Sequence, residues 1–469
     1  MFGKEKLRAL SGAAILGMAA AFSGPAAAAN DAMLDLLKLL KDKGSISQEE
    51  YDLLSSAAKA DAEQIEGNVG EVKAVAATLP KVEVKDKIVI GSQDGDFKWQ
   101  PIGRVMADYI WADGDETELE SGGELRRARL GMEATLFKHW IGKLEADFGE
   151  NEVDIKDAFV GYESDWQGGK WWVKTGQQHV PFGFSTLSSS KVMTFMNRPI
   201  YADNEIQPAR QVGIAGFING ARWTAHTGVF TSSLDEPEDC VFGAENEGSG
   251  ECDQEFAFGA RVTGVPLMID ATKLLQLGAG IMYKNPNGST IDIDQRDAII
   301  HIIDSKNLNA DFKGFADDAI AFNVEAVGVY GPAHFMAEYA NMEVSREDSS
   351  LPDVTLDAFS VDVGFFITGE SKNIDIAKGQ YGGIKPKGIV GKGGIGAWEI
   401  ALRYEQADYT DEDVIGGEMD LLTVGLNWYV NNTMRFMANY VTTLDYEEPG
   451  SSDDNDEPNA FMVRSQIYW

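Results

Sequence analysis

From residue 97 onward the apolar positions recur with a period of two. In 104–111, Val105, Ala107, Tyr109 and Trp111 share one face, and Arg104, Met106 and Asp108 the other. In 127–137, Ala128, Leu130, Met132, Ala134 and Leu136 oppose Arg127, Arg129, Gly131, Glu133 and Thr135. Between 358 and 367, Phe359, Val361, Val363, Phe365 and Ile367 oppose Ser360, Asp362 and Gly364. The last segment sets Phe461, Val463, Ile467 and Trp469 against Met462, Arg464, Gln466 and Tyr468. A strand face carrying Arg, Glu and Asp cannot be a dry core, because unpaired buried charge is too costly. It must meet water. The opposite face stays apolar over successive positions, mixes Ala with large side chains, and ends in aromatics. That pattern predicts an all-β fold, a transmembrane β-barrel with lipid outside and water within. A soluble antiparallel sandwich also alternates, but has no reason to keep its outward faces free of charge.

Sixteen such segments are expected, near 102–111, 124–137, 141–149, 155–163, 170–180, 210–218, 221–230, 256–266, 274–284, 319–331, 333–345, 356–369, 396–407, 418–430, 433–445 and 459–469. An even, antiparallel count puts both barrel ends on one side, the periplasmic one. Lys138-His139, Gly331-Pro332 and Asn431-Asn432 read as short turns. Long connections fall at 113–123, 182–209, 232–255, 285–318, 345–354, 371–394 and 446–458, largely alternating with the short ones. A barrel of sixteen strands is wide enough to leave an aqueous channel.

Ahead of the barrel, 97–469, the period is helical. Met33, Leu36, Leu37 and Leu40 mark an amphipathic helix over 31–43 that Gly44 ends. Ser47-Gln48-Glu49-Glu50 has the form of a capping box. Tyr51, Ser55, Ala58, Ala62, Ile65, Val69, Val72 and Ala76 then keep a heptad spacing, with Gly67 and Gly70 as expected interruptions. Residues 30–80 are therefore expected to form a periplasmic helical or coiled-coil segment, either self-associating, closing as a simple hairpin or serving as a flexible linker. Residues 1–29 read as a cleaved secretory signal: Lys4, Lys6 and Arg8, an apolar core from Ala13 to Phe22, then Ala27-Ala28-Ala29.

Composition narrows the function classes. With 75 Asp and Glu against 40 Lys and Arg, the formal charge is −35, and −37 once the net-positive signal is removed. So acidic a chain is repelled by phosphate backbones, which argues against a nucleic-acid partner. Its 44% hydrophobic content argues against disorder, and its 50 glycines point to many tight turns. The cysteines, Cys240 and Cys252, sit in an acidic loop of an exported chain and are a disulfide candidate, with free thiols and metal ligation as alternatives. His139, His179, His226, His301 and His334 share no ligand spacing, so no metal centre or cofactor is expected. No nucleophile-elbow or phosphate-cradling glycine motif is present, and no enzyme is expected. Acid runs such as Asp411-Glu412-Asp413 read as solvated loop tips, or as contacts for cations and lipopolysaccharide.

The chain resembles the phosphate-selective porin O and P family. The likeness runs through Gly44-Ser45-Ile46-Ser47-Gln48-Glu49-Glu50-Tyr51, Gly103-Arg104, Leu125-Arg126-Arg127-Ala128 and Asp157-Ala158-Phe159-Val160. It continues in Gly176-Gln177, Pro181-Phe182-Gly183, Ser189-Ser190-Lys191 and Phe195-Met196-Asn197-Arg198. Ile367-Thr368-Gly369-Glu370, Gly396-Ala397-Trp398-Glu399, Leu402-Arg403-Tyr404 and Gly425-Leu426-Asn427-Trp428-Tyr429 complete it. Each motif is weak alone; their order is specific. The resemblance implies a homotrimeric channel in the outer membrane of a Gram-negative cell, passing small inorganic ions such as phosphate through a basic constriction.

By resemblance, Arg104, Arg126, Arg127 and Lys191 match basic positions of the anion path. By strand phase, Arg104, Arg127 and Arg129 face the lumen, whereas Arg126 has the opposite phase unless a bulge intervenes. Lys191 lies in the 182–209 segment, a candidate for folding inward, and Arg198 and Arg210 flank it. Cations spread along a lumen let an anion move between several moderate sites. The plainer reading pairs these arginines with neighbouring carboxylates. Two departures from the family stand out: Asn197 replaces a common glutamate, and Asp108, Glu133, Glu145, Asp147, Asp157, Asp362, Glu399 and Glu405 share the lumen phase. Facing rows of opposite charge would make a transverse field and a general-diffusion or cation-preferring pore. A structural or adhesin barrel is the more distant alternative.

Overall fold

The computed structural model describes residues 31–84, 86–114, 121–149, 153–204, 206–231, 255–286, 291–295, 299, 308–312, 316–450 and 457–469. Cys240 and Cys252 lie outside the described residues. Contacts divide the chain into a helical unit, up to residue 82 with 90–97, and a barrel unit, 83–89 with 98–469.

In the helical unit, α1 spans 31–42 and α2 runs unbroken over Gln48–Thr78. The Ser47 hydroxyl accepts the Glu50 N–H at 3.2 Å, and the Glu50 carboxylate accepts the Ser47 N–H at 2.7 Å, the reciprocal capping the sequence predicts. Those bonds hold the Glu50 carboxyl below its ordinary pKa. Leu37 and Ala58 are buried, and the Lys41 ammonium sits 4.7 Å from the Tyr51 ring centroid. The two helices thus close on each other as a hairpin. Gly67 and Gly70 do not interrupt α2; a glycine inside a long helix costs only about 1 kcal/mol. Two four-residue strands, Lys81–Val84 and Ile88–Gly91, follow and pair.

Sixteen antiparallel strands form the barrel: β1 (Phe97–Asp113), β2 (Gly122–Leu136), β3 (Trp140–Asp147), β4 (Asp154–Trp166), β5 (Gly169–His179), β6 (Arg210–Asn219), β7 (Trp223–Phe230) and β8 (Phe256–Asp270) come first. β9 (Lys273–Asn285), β10 (Ala316–Tyr330), β11 (Ala333–Arg346), β12 (Val354–Phe366), β13 (Ala397–Asp411), β14 (Val414–Tyr429), β15 (Met434–Glu447) and β16 (Asn459–Tyr468) complete them. Each pairs with its neighbour, and β16 returns to β1 from Asn459↔Asp113 to Tyr468↔Arg104, leaving no free edge. The expected strands are all present.

The alternation has the expected sense. On β1, Val105, Tyr109 and Trp111 are exposed outward while Arg104, Met106 and Asp108 are buried inward. Outward aromatics stack near the strand ends, Trp111 on Phe461 at 5.8 Å and Trp398 on Trp428 at 5.3 Å. On β2, Leu125 and Leu130 are both exposed although an odd interval separates them, so the phase changes between them. The Asp147 carboxylate takes the Ala128 N–H there at 2.9 Å. This is the irregularity that the Arg126 reading left open.

Short turns gather at one end of the barrel and long connections at the other, with two exceptions. β13 and β14 are joined at the long-loop end by residues 412–413 alone. The connection 367–396, between β12 and β13, lies at the short-turn end despite its length. It folds inward, as does 180–209 from the opposite end.

Candidate functional site

The 180–209 segment, which includes the one-turn helix α3 (Phe184–Leu187), fills much of the lumen. Phe182, Phe184, Phe195, Tyr201 and Ile206 on it are fully buried. The wall formed by β10–β16 grips it through its backbone. The Glu338 carboxylate accepts the N–H groups of Phe184 at 2.6 Å and Ser185 at 3.1 Å, plus the Gln207 amide at 3.1 Å. The Glu405 carboxylate accepts the Ile200 N–H at 2.9 Å. Carbonyls go to guanidiniums: Met193 to Arg435 at 2.5 Å, Met196 to Arg464 at 2.7 Å and Asn197 to Arg403 at 3.1 Å. Carboxylates take donors and arginines take acceptors, so these anchors are charge-assisted, and neutral ones join them: the Asn439 side-chain oxygen accepts the Met196 N–H at 2.8 Å and the Asn427 amide donates to the Thr194 carbonyl at 2.8 Å.

The 367–396 segment meets it from below. The Lys372 ammonium donates to the Thr194 hydroxyl at 2.8 Å and lies 3.4 Å from Glu399. Tyr381 packs edge-on against Phe184 at 4.7 Å. A third piece, the strand pair Asp292–Gln295 and Leu308–Asp311, buries Ile293, Leu308 and Ala310 in the core shared with Met342, Leu356 and Leu421.

Strand register pairs several of the acids that share the lumen phase. Asp362 is bidentate to Arg403, at 2.7 and 2.9 Å. Asp108 is bidentate to Arg464, at 2.7 and 2.5 Å. Glu399 accepts from His334 at 2.7 Å, Asn427 at 2.8 Å and Tyr429 at 2.7 Å. These acids and Glu405 lie buried, neutralised by wall cations or bonded to the inward segment. Glu133 on β2, another acid of that phase, is exposed.

The opposite wall, β1–β6, holds a second group of charges. Arg104 donates to Glu145 at 3.0 Å and to the Ser190 hydroxyl at 2.7 Å, joining the wall to the inward segment. Arg129 binds Asp147 at 2.6 Å and approaches Glu145 at 3.6 Å. Lys143 bridges Glu145 at 3.0 Å and Asp157 at 2.8 Å, and Arg210 reaches Asp157 at 3.2 Å. Three carboxylates thus serve four cations. Arg127, Lys191 and Lys174 have no carboxylate partner among the described residues: Arg127 reaches only the Met106 sulfur at 3.9 Å, and Lys191 lies 5.5 Å from the Tyr468 ring. Burial first, then repulsion from Arg104, pushes the Lys191 amine down to about 8.

Of the sequence candidates, the fold brings Arg104, Arg127, Arg129, Lys191 and Arg210 together on the β1–β6 side of the lumen. Arg126 sits half-buried at the phase change. Arg198 is used inside its own segment, on Asp203 at 2.6 Å and on the Ser185 and Ser188 carbonyls. Sequence reading missed Lys143 and Lys174. Both have the lumen phase of their strands, so the alternation that found Arg127 contained them.

A closed sixteen-strand barrel whose lumen is narrowed by an inward segment defines an outer-membrane channel of the porin class. Among solved structures it is similar to an anion-selective porin from Comamonas acidovorans, with 12% identity, TM-score 0.50, and coverage of 80% of this chain and 100% of that one. Residues 101–469 match the model of the family described as phosphate-selective porin O and P, and the chain belongs to that family. Porin O of Pseudomonas aeruginosa is 22% identical over 417 residues, 82% of this chain and 91% of that protein. An uncharacterized protein of Caulobacter vibrioides is 26% identical over 361 residues, 75% of this chain and 70% of the relative.

Proposed function

We propose that this channel prefers small anions, phosphate among them, and that Arg104, Arg127 and Lys191 line their path with Arg129, Lys143 and Arg210 beside them. The supporting observation is the imbalance on the β1–β6 wall, where among the described residues Arg127 and Lys191 lack carboxylate partners, while across the lumen Asp362 is bound to Arg403, Glu399 to Lys372 and Glu405 to the Ile200 N–H. A hydrated anion crossing there meets several moderate cationic contacts in series, as rapid passage requires. Arg126 adds positive potential at the rim of this path, and Arg198 holds the inward segment in shape. Membership of the porin O and P family supports the same reading. The protein works as a homotrimer, with residues 30–80 in the periplasm and residues 1–29 removed on export.

The net charge of −35 favours an opposing reading, general diffusion with cation preference, by drawing cations to the mouths. The reversal potential of the purified protein in a planar bilayer under a KCl gradient separates the two. Anion preference with current block by added phosphate supports the proposal; cation preference without block overturns it.

A further inference from the structure

The short-turn half of the lumen wall carries a second arrangement that ion passage alone does not use. Cross-strand register aligns Glu163, Trp172, Phe217, His226 and Arg261 in one row over β4–β8. All have the inward phase; on β5 it is Trp171 that turns outward to the aromatic belt, where it meets Tyr162. Trp172 and Phe217 lie parallel, 10° apart in plane with centroids at 5.3 Å. His226 stands edge-on to both, at 5.0 and 5.7 Å, and its Nε2 is buried without a hydrogen-bond partner among the described residues. Beside the row, the Lys174 ammonium lies 3.9 Å from the Trp172 centroid and 4.5 Å from that of Phe159. Gly161 faces Lys174 across the strands, and a Cβ there would come within 2.8 Å of the lysine chain.

Lys174 has no carboxylate within ion-pair distance among the described residues; only aromatic faces hold it. A bare phosphate has no use for a tryptophan and a phenylalanine stacked together on the inward face of the wall. An anion attached to a ring with an apolar face has a use for both parts. We propose that Lys174 with Trp172, Phe217 and His226 forms a second binding station in the lumen, for anions whose charge is carried by a ring with an apolar face. The ammonium takes the charge, the Trp172–Phe217 pair takes the ring face, and His226 Nε2 is placed for a ring substituent. Two sources share that chemistry, phosphorylated sugars with their C–H faces and aryl phosphates with their π faces. This proposal rests on the reading that the lumen admits anions.

The test is single-channel current block of the purified protein by inorganic phosphate, glucose 6-phosphate and phenyl phosphate. The expected result is that at least one ring-bearing anion blocks roughly three- to tenfold more strongly than inorganic phosphate, the scale of one aromatic contact. Block by glucose 6-phosphate alone assigns the sugar, and block by phenyl phosphate alone assigns the aryl group. Trp172→Ala is expected to erase that difference and leave block by inorganic phosphate unchanged. Phe217→Leu, a milder change, is expected to reduce it in channels of unaltered conductance. Equal block by all three anions overturns the proposal, as does a difference that survives both substitutions. Cation preference under a KCl gradient would sink the anion reading of the constriction, while the ring-dependent difference would still decide this station.

Discussion

Glu338 on β11 and Ser185 in the inward segment, 153 positions apart, are bound twice, through the Ser185 N–H at 3.1 Å and through its hydroxyl. The same carboxylate takes the Phe184 N–H, the Gln207 amide and, at 2.9 Å, the Asn323 amide. One acid therefore organises the root of the element that narrows the pore. Glu338→Ala leaves those donors without their acceptor and frees the segment from the wall. We expect larger and noisier single-channel conductance with weaker ion selectivity, while the barrel still forms. Unchanged conductance would show that the remaining anchors suffice.

Lys191 supplies a pH dependence. Its amine, pushed down to about 8, is charged below that pH and loses its charge as pH rises through it. Anion preference is therefore fullest below about pH 7 and falls between about 7 and 9. Lys191→Met is expected to lower the preference at pH 6 and to flatten this profile. Reversal potentials at a series of pH values check both statements.

Asp157 neutralises part of the β1–β6 wall by holding Lys143 at 2.8 Å and Arg210 at 3.2 Å. Asp157→Asn removes that negative charge and keeps the shape. Anion preference is expected to rise, with tighter block by phosphate. A shift toward cations would mean that the two basic groups depend on Asp157 for their placement.

Asp108 closes the barrel as well as its charge balance, since its partner Arg464 belongs to the last strand. Asp108→Asn leaves a buried guanidinium without its counter-ion, a change worth about 3–5 kcal/mol. The expected outcome is a lower temperature for conversion to the heat-denatured form on gels. An unshifted temperature would place water at Arg464.

Much of this was legible along the chain. The strands follow from a two-residue period, because lipid and water leave a spanning strand no other pattern, and the faces of Val105/Arg104 and Phe365/Gly364 fall as the alternation requires. The pore charges were legible by type but not by partnership. Asp362 and Arg403 are 41 positions apart and become neighbours only through strand register, so nothing local marks that acid as already occupied. The 367–396 segment hid for a related reason. Length distinguishes a loop from a turn, but it does not say which end of the barrel a connection serves or that it turns inward. Arg126 was undecided because one irregularity between Leu125 and Leu130 resets the phase.

The grip on the inward segment has a consequence for biogenesis. The carbonyls of Met193 and Met196 are held by Arg435 and Arg464, which belong to the final two strands. The last of these strands, β16, is also the one that pairs with β1 to close the barrel. The restraint on the inward segment is therefore complete only in a closed barrel, so completing the seam and setting the permeability are one event.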